Sequence, residues 1–129
     1  MDRPILIIED NEQNRYLATY LLQQHGYRVV TASDGPTGVV EAGRIGASMI
    51  LLDIQLPLMD GYAVARALRE NPALRDTPII AVTSYAMPGD REKALEAGCT
   101  GYVEKPIDPA TFLDSLRSYG LPSGPRAAS

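Results

Sequence analysis

The residues of this sequence that could do chemistry stand where runs of apolar residues end. Met49–Leu52 is an unbroken apolar run that closes on Asp53, and Ile5–Ile8 is a second run that closes on Glu9 and Asp10. Such runs are typical of strands that are covered on both faces, as in parallel sheets. Taken alone, Asp53 would most simply cap the following turn. Whether it has a functional role therefore depends on which polar residues lie beside it.

Two further predicted strands also end on polar residues. The strand Pro78–Thr83 ends on a hydroxyl, and the short strand Gly101–Glu104 is followed by Lys105. If the acidic strand ends meet, their carboxylates repel one another, and a hard divalent cation with oxygen ligands, Mg²⁺ or Mn²⁺, would relieve that repulsion. A hydroxyl and an ammonium group nearby could hold phosphoryl oxygens. Together these residues predict a phosphoryl-transfer site in which a carboxylate accepts the group.

Helix signals separate the strands, so the chain is predicted to contain five strand–helix units in strict alternation. A more polar strand is predicted over 27–32, and helices over 12–24, from Pro36 to about 44, over 61–69, over 90–98, and after the Asp108–Pro109 pair. Strict alternation requires parallel strands, right-handed crossovers and helices on both faces. Five strands without a glycine-rich fingerprint favour a doubly wound, flavodoxin-like α/β fold with strand order 2-1-3-4-5. In that order strands one and three are neighbours, which brings Glu9, Asp10 and Asp53 together.

Length and composition limit the possible classes of protein. At 129 residues the chain suits one domain, predicted over residues 1–119, with a tail over 120–129 that we expect to be disordered. A net charge of −4 gives no reason to expect nucleic-acid binding. Without a membrane-length apolar run or a secretory leader, we expect a cytoplasmic protein that makes no membrane contact. The single cysteine, Cys99, is expected to be a small buried packing residue.

The polar strand ends lie in local motifs that resemble a known family. The motifs are Ile8–Asn11, Leu52–Pro57 with Met59–Gly61, Ala81–Ser84 and Lys105–Ile107. Over residues 4–119 the sequence resembles the receiver domains of response regulators, the phospho-acceptor partners of bacterial sensor histidine kinases. The stretches Tyr85–Asp90 and Gly98–Cys99 resemble free-standing single-domain regulators of the DivK kind, and also receivers fused to hybrid kinases.

The resemblance implies a role for each residue of the predicted acidic site. Asp53 is expected to be the phosphorylated residue, and Asp10 is expected to bind Mg²⁺ directly. Glu9 stands where many family members have aspartate, and it is expected to assist the metal through water. The backbone carbonyl of Gln55 is expected to be a third protein ligand.

The resemblance also implies a switch beside the acceptor. Thr83 and Lys105 are expected to hold the phosphoryl oxygens, and Tyr102 is expected to change rotamer with Thr83. The bond between Lys105 and Pro106 is cis in the family, a geometry that is specific to proline. Gln55 and Tyr85 occupy positions that tune phosphoryl lifetime in the family.

The function implied is signalling rather than enzymatic turnover of a substrate. A histidine kinase or histidine phosphotransfer protein would supply the phosphoryl group, and phosphorylation would shift the fourth helix, fifth strand and fifth helix, where a downstream protein binds. One alternative is a receiver-shaped adaptor that works without phosphorylation, which the intact acid cluster disfavours. Another is a small flavin- or nucleotide-binding enzyme, which the lack of a glycine-rich phosphate loop disfavours. A receiver fragment of a hybrid kinase stays open.

Overall fold

The sheet and its helices follow the predicted alternation. The structure, a computed structural model, describes residues 3–84 and 87–122. Its strands are β1 (Ile5–Ile8), β2 (Val29–Ala32), β3 (Met49–Asp53), β4 (Ile79–Thr83) and β5 (Gly101–Glu104). Its helices are α1 (Glu12–Gln24), α2 (Gly35–Ile45), α3 (Gly61–Arg69), α4 (Asp90–Ala97) and α5 (Phe112–Ser118), with a short 3₁₀ helix at Pro72–Leu74. The strands pair in parallel in the order β2-β1-β3-β4-β5, which confirms the predicted doubly wound fold.

Two apolar layers, one on each face of the sheet, form the core. Leu6 and Ile8 of β1 pack into the layer beneath α2, α3 and α4, whereas Ile5 and Ile7 pack into the layer beneath α1 and α5. Successive side chains of a strand point to opposite faces, so a strand that is covered on both sides needs apolar residues at every position. This burial explains the unbroken apolar runs from which the strands were predicted.

Polar side chains mark the starts of three helices. The Oδ1 atom of Asn11 accepts a hydrogen bond from the backbone N–H of Asn14 at 2.9 Å, at the start of α1. Asp34 and Asp60 make the equivalent bonds at the starts of α2 and α3. Each cap satisfies a backbone donor that has no partner within its helix. Because Asn11 and Asp60 lie close in sequence to the polar strand ends, these caps also fix the loops around the predicted site.

The last helix begins later than the sequence predicts. Asp108 Oδ1 accepts a hydrogen bond from the N–H of Ala110 at 2.9 Å, so the Asp108–Pro109 pair opens a turn. The regular helix starts only at Phe112, with Thr111 as its N-cap. Thr111 has φ −118° and ψ −8°, which departs from regular helical geometry and separates the turn from α5.

The side chain of Arg69 joins three parts of the chain at the end of the sheet opposite the polar strand ends. Arg69, the last residue of α3, donates to the carbonyls of Leu74 at 2.7 Å and Gly98 at 2.8 Å. It also donates to Thr100 Oγ1 at 3.3 Å, and that oxygen accepts from the N–H of Ile79. The guanidinium therefore joins α3, the 3₁₀ helix and the connection between α4 and β5.

The C-terminal residues that the structure describes pack against the first helical layer. Leu121, in the predicted tail, is buried in the layer beneath α1 and α5, and the hydroxyl of Tyr27 donates to the carbonyl of Pro122. Residues 123–129, the rest of the predicted tail, lie outside the described residues. None of the helices in the described ranges is both long and apolar enough to cross a membrane.

Candidate functional site

The strand register brings the polar strand ends to one edge of the sheet. Ile8 of β1 is level with Leu52 of β3, so the next residues, Glu9 and Asp53, are also level. Asp53 is in turn level with Val82 of β4, one residue before Thr83. In a parallel sheet these carboxyl ends share one rim, which is where ligands bind in open α/β folds.

Three carboxylates gather at this rim. One side-chain oxygen from each of Glu9, Asp10 and Asp53 lies within 4.8 Å of the other two. Glu9 and Asp53 are 5% and 3% exposed, whereas Asp10 is exposed to solvent. A compact set of carboxylate oxygens with one open side fits a hard divalent cation such as Mg²⁺.

Lys105 provides the positive charge inside the cluster. Its Nζ lies 2.7 Å from Oε1 of Glu9 and 3.6 Å from Oδ2 of Asp53. The lysine side chain is 9% exposed, so water screens these contacts only weakly. One ammonium group thus balances two buried carboxylates, which would be costly to bury unpaired. The following peptide bond, between Lys105 and Pro106, is cis.

Asp53 is held by its neighbours and is electrostatically perturbed. Its Oδ1 accepts a hydrogen bond from the backbone N–H of Gln55 at 2.9 Å. Burial raises the pKa of Asp53 above the ordinary aspartate value, and Glu9 beside it raises this pKa further. The Gln55 N–H and the Lys105 ammonium act in the opposite direction by stabilising the carboxylate. The result is an oriented carboxylate whose proton affinity is increased by the same burial that excludes water.

Gln55 makes a second contact that sequence reasoning missed. Its side-chain Oε1 accepts a hydrogen bond from the N–H of Ser84 at 3.3 Å. The backbone of Gln55 therefore contacts Asp53, while its side chain reaches the residue that follows Thr83. No local pattern could have indicated this bond, because its two partners are 29 residues apart.

Arg15 is another supporting residue that the sequence analysis did not identify. From α1, its Nη1 donates to the carbonyl oxygen of Glu9 at 2.9 Å and lies 3.4 Å from that of Asp10. These contacts hold the backbone of the acidic pair in place. The sequence signal that could have identified Arg15 is a basic residue within the first two turns of the helix that follows Glu9 and Asp10.

Thr83 and Tyr102 occupy adjacent strands beside the acid cluster. Thr83 is 3% exposed at the end of β4 and is level with Glu104 of β5. Tyr102 packs against the layer beneath α2, α3 and α4, and its buried hydroxyl has no hydrogen-bond partner among the residues that the structure describes. Burial raises the pKa of this phenol, and the nearby carboxylate of Asp90 raises it further. Tyr85, for which a role in phosphoryl lifetime was predicted, lies outside the described residues.

An open cavity borders Lys105, the lysine of the cluster. It has a volume of about 300 Å³ and is lined by Asn14, Ser84, Lys105 and Pro106. The cavity therefore connects the start of α1 with the loops that follow β4 and β5. Lys105 is the residue of the cluster that this cavity exposes to solvent.

Comparison with known proteins agrees with this geometry. The response regulator receiver domain family matches this chain over residues 5–117. The chain is 37% identical over 119 residues to the polar-differentiation response regulator DivK of Brucella anthropi, covering 92% of this chain and 97% of that protein.

Solved structures show the same fold. The chemotaxis protein CheY4 of Vibrio cholerae matches with a TM-score of 0.88 and 28% identity, covering 92% of this chain and 99% of that one. The receiver domain of the sensor histidine kinase PA1611 of Pseudomonas aeruginosa PAO1, with a magnesium ion coordinated in its active-site cleft, has a TM-score of 0.83 and 38% identity. The alignment covers 92% of this chain and 98% of that one. With the family match, the shared fold and the acid cluster, the chain belongs to the response regulator receiver domains of two-component signalling.

Proposed function

We propose that this receiver accepts a phosphoryl group on Asp53 from a phosphohistidine of a sensor histidine kinase or a histidine phosphotransfer protein. The observation that carries the proposal is the environment of one buried carboxylate. Its Oδ1 is held by the Gln55 N–H, and its Oδ2 lies 3.6 Å from the Lys105 ammonium. In the transfer, a carboxylate oxygen of Asp53 forms a bond to phosphorus while the bond between phosphorus and the imidazole nitrogen breaks.

The oxygen-rich cluster supports a role for a divalent cation in this transfer. Asp10, Asp53 and the backbone carbonyl of Gln55 are the proposed protein ligands of Mg²⁺ or Mn²⁺, and Glu9 is proposed to assist through water. A cation bound there would neutralise charge that develops on the phosphoryl oxygens. The fit rests on the three carboxylates whose oxygens lie within 4.8 Å of one another.

Lys105 and Thr83 are proposed to bind the phosphoryl oxygens after transfer. The lysine already lies between Glu9 and Asp53, so a small shift would place its ammonium on a new anion. Thr83 would supply a hydroxyl from the end of β4. These two contacts would favour the phosphorylated arrangement by charge and by hydrogen bonding.

Movement of Thr83 is proposed to reach the partner surface through Tyr102. Movement of Thr83 toward a bound phosphoryl group would open space beside it, and Tyr102, whose hydroxyl is buried without a described partner, would turn into that space. That rotation would alter the face formed by α4, β5 and α5, where a downstream protein binds. A coupling of about 1–3 kcal/mol between phosphorylation and partner binding is typical of such switches.

The proposed unit is a receiver over residues 1–119 that acts as a signalling phospho-acceptor. Its own residues assist the gain and loss of the phosphoryl group, and the output is a protein contact. Members of this family are signalling proteins, which agrees with this assignment.

The experiment that tests the acceptor is phosphate uptake from a phosphorylated histidine kinase in the presence of Mg²⁺. We expect uptake by the native chain and none by the variant Asp53→Asn. The matched control is Asp76→Asn, which removes an exposed aspartate just before β4 begins, at the opposite end of the sheet. Uptake that persists in Asp53→Asn would overturn the assignment.

A further inference from the structure

A second cavity lies at the edge of the sheet, outside the acid cluster. It has a volume of about 300 Å³ and lies between β5 and α5, and we call it the β5 groove. Its polar lining includes Glu104 and Asp108, with the hydroxyl residues Thr111, Ser115 and Ser118. No lysine, arginine or histidine is among its lining residues in the described ranges, so the groove has a negative wall.

The groove follows the free edge of β5. In the part of the sheet that the structure describes, β5 pairs only with β4, which leaves one row of backbone donors and acceptors available. Three consecutive residues, Tyr102, Val103 and Glu104, line the groove. Neighbouring side chains of a strand point to opposite faces, so a cavity that touches all three runs along the edge of the strand.

We propose that the β5 groove binds an extended segment of the downstream partner that carries lysine or arginine and adds to β5 as a sixth strand. Backbone pairing along the edge would supply affinity, and the carboxylates of Glu104 and Asp108 would select basic side chains. The inference rests on the proposed function, because it names the chemistry of the partner for the α4–β5–α5 face. A second copy of this chain fits less well, since edge-to-edge pairing would bring two acidic walls together.

The strand that forms the groove also connects it to the phosphorylation site. Glu104 is level with Thr83 on the neighbouring strand, and the next residue is Lys105. Tyr102 lines the groove while its hydroxyl is buried. A change at Thr83 and Tyr102 therefore reshapes one wall of the groove. We expect phosphorylation to change the affinity for a basic strand by about fivefold or more.

The test is a nuclear magnetic resonance titration of the isotopically labelled full chain. The probe is an octapeptide of alternating lysine and threonine, and we expect its strongest effects on the amide signals of β5 and α5. The double variant with Glu104→Gln and Asp108→Asn should bind the peptide at least fivefold more weakly. Asparagine at 108 keeps an oxygen that can accept the turn hydrogen bond from Ala110, so the fold should persist.

Matched controls separate strand addition from general attraction to an acidic protein. The double variant with Glu70→Gln and Asp76→Asn removes the same charge at exposed positions outside the groove and should bind like the native chain. A peptide of equal charge that is N-methylated at every residue has no backbone N–H to donate to a strand edge and should lose binding. Equal weakening by both double variants, equal binding of the methylated peptide, or signal changes on another face would overturn the proposal.

The experiment distinguishes failure of the groove from failure of the acceptor. The titration is performed first on the unphosphorylated native chain and on the Asp53→Asn variant. Neither protein carries a phosphoryl group, so peptide binding in these samples does not depend on phosphate transfer. Peptide binding in the groove without phosphate uptake by the native chain would remove the acceptor assignment alone. Phosphate uptake without peptide binding in either phosphorylation state would remove the groove proposal alone. If sedimentation shows that the native chain self-associates and that the Glu104→Gln, Asp108→Asn double variant does not, the groove binds a second copy of this chain and the partner proposal is wrong.

Discussion

Lys105 lies closer to Glu9 than to the proposed phospho-acceptor, with Nζ 2.7 Å from Glu9 Oε1 and 3.6 Å from Asp53 Oδ2. In this arrangement the ammonium group is held mainly by Glu9, the residue that follows β1, and only secondarily by Asp53. A phosphoryl group on Asp53 would therefore compete with Glu9 for the lysine.

Substituting Lys105 should destabilise the metal-free protein. Lys105→Met removes the cation that compensates Glu9 and Asp53 and leaves two buried carboxylates, at an expected cost of about 3–5 kcal/mol in the free energy of unfolding. Urea denaturation measures this change. The control Lys93→Met removes an exposed lysine of α4 and should alter stability by less than about 0.5 kcal/mol. Equal losses in both variants would contradict the ion-pair argument.

Substituting Asp10 should reduce the affinity for Mg²⁺ but not the stability of the metal-free protein. This carboxylate is exposed and lies in the acid cluster, so Asp10→Asn should weaken Mg²⁺ binding by at least about tenfold. Without metal the variant should be as stable as the native chain or slightly more stable, because it relieves repulsion among carboxylates. Titration calorimetry and thermal unfolding with and without Mg²⁺ provide the two measurements. A large loss of metal-free stability would assign Asp10 a structural role instead.

Gly61 should not tolerate a side chain, because the loop that follows Asp53 passes close to it. A Cβ at this position would lie 2.4 Å from Ile54 Cα and 2.9 Å from the carbonyl oxygen of Asp53. Gly61→Ala should cost about 1–3 kcal/mol of stability and weaken Mg²⁺ binding by displacing the loop. The control is Gly43→Ala within α2, where the added Cβ meets only the side-chain nitrogen of Asn71 at 3.0 Å. It should leave Mg²⁺ binding unchanged, and a weakened metal affinity in that control would argue against the loop explanation.

Cys99 should be chemically inert in the folded protein. Burial raises the pKa of its thiol to about 11, so the reactive thiolate is scarce near pH 8. Alkylation by iodoacetamide should be slow in buffer and fast in urea. Since the thiol of the unfolded chain releases its proton near the ordinary cysteine pKa of 9.0, stability should fall as pH rises from there toward about 11. Alkylation of the native chain at the rate seen in urea would contradict the burial.

The sheet could be predicted because its sequence signals are local. Burial on both faces leaves an unbroken apolar run, and the runs before Glu9 and Asp53 are of this kind. Strict alternation with helices then limits the strand order, and the strand order brings the carboxylates together. The caps at Asn11 and Asp60 follow from side chains that satisfy the first backbone donors of a helix.

The side-chain network could not be predicted, because its partners are distant in sequence. The Lys105–Glu9 pair joins the two ends of the domain, and the bonds from Arg69 to Gly98 and Thr100 join parts of the chain about 30 residues apart. Such contacts depend on how helices pack on the sheet, which residue spacing does not specify. The delayed start of α5 has the same origin, since capping chemistry at Asp108 is satisfied equally by a turn and by a helix.

The two contacts of Gln55 have a consequence for how this protein can evolve. Its backbone N–H orients the carboxylate of Asp53, and its side chain fixes the N–H of Ser84 beside Thr83. Replacing that side chain would remove the oxygen that accepts from the Ser84 N–H, and with it one restraint on the loop that follows β4. Under the proposed function, a substitution of Gln55 that alters the lifetime of the phosphoryl group would also alter the loop beside Thr83, so these two properties would change together.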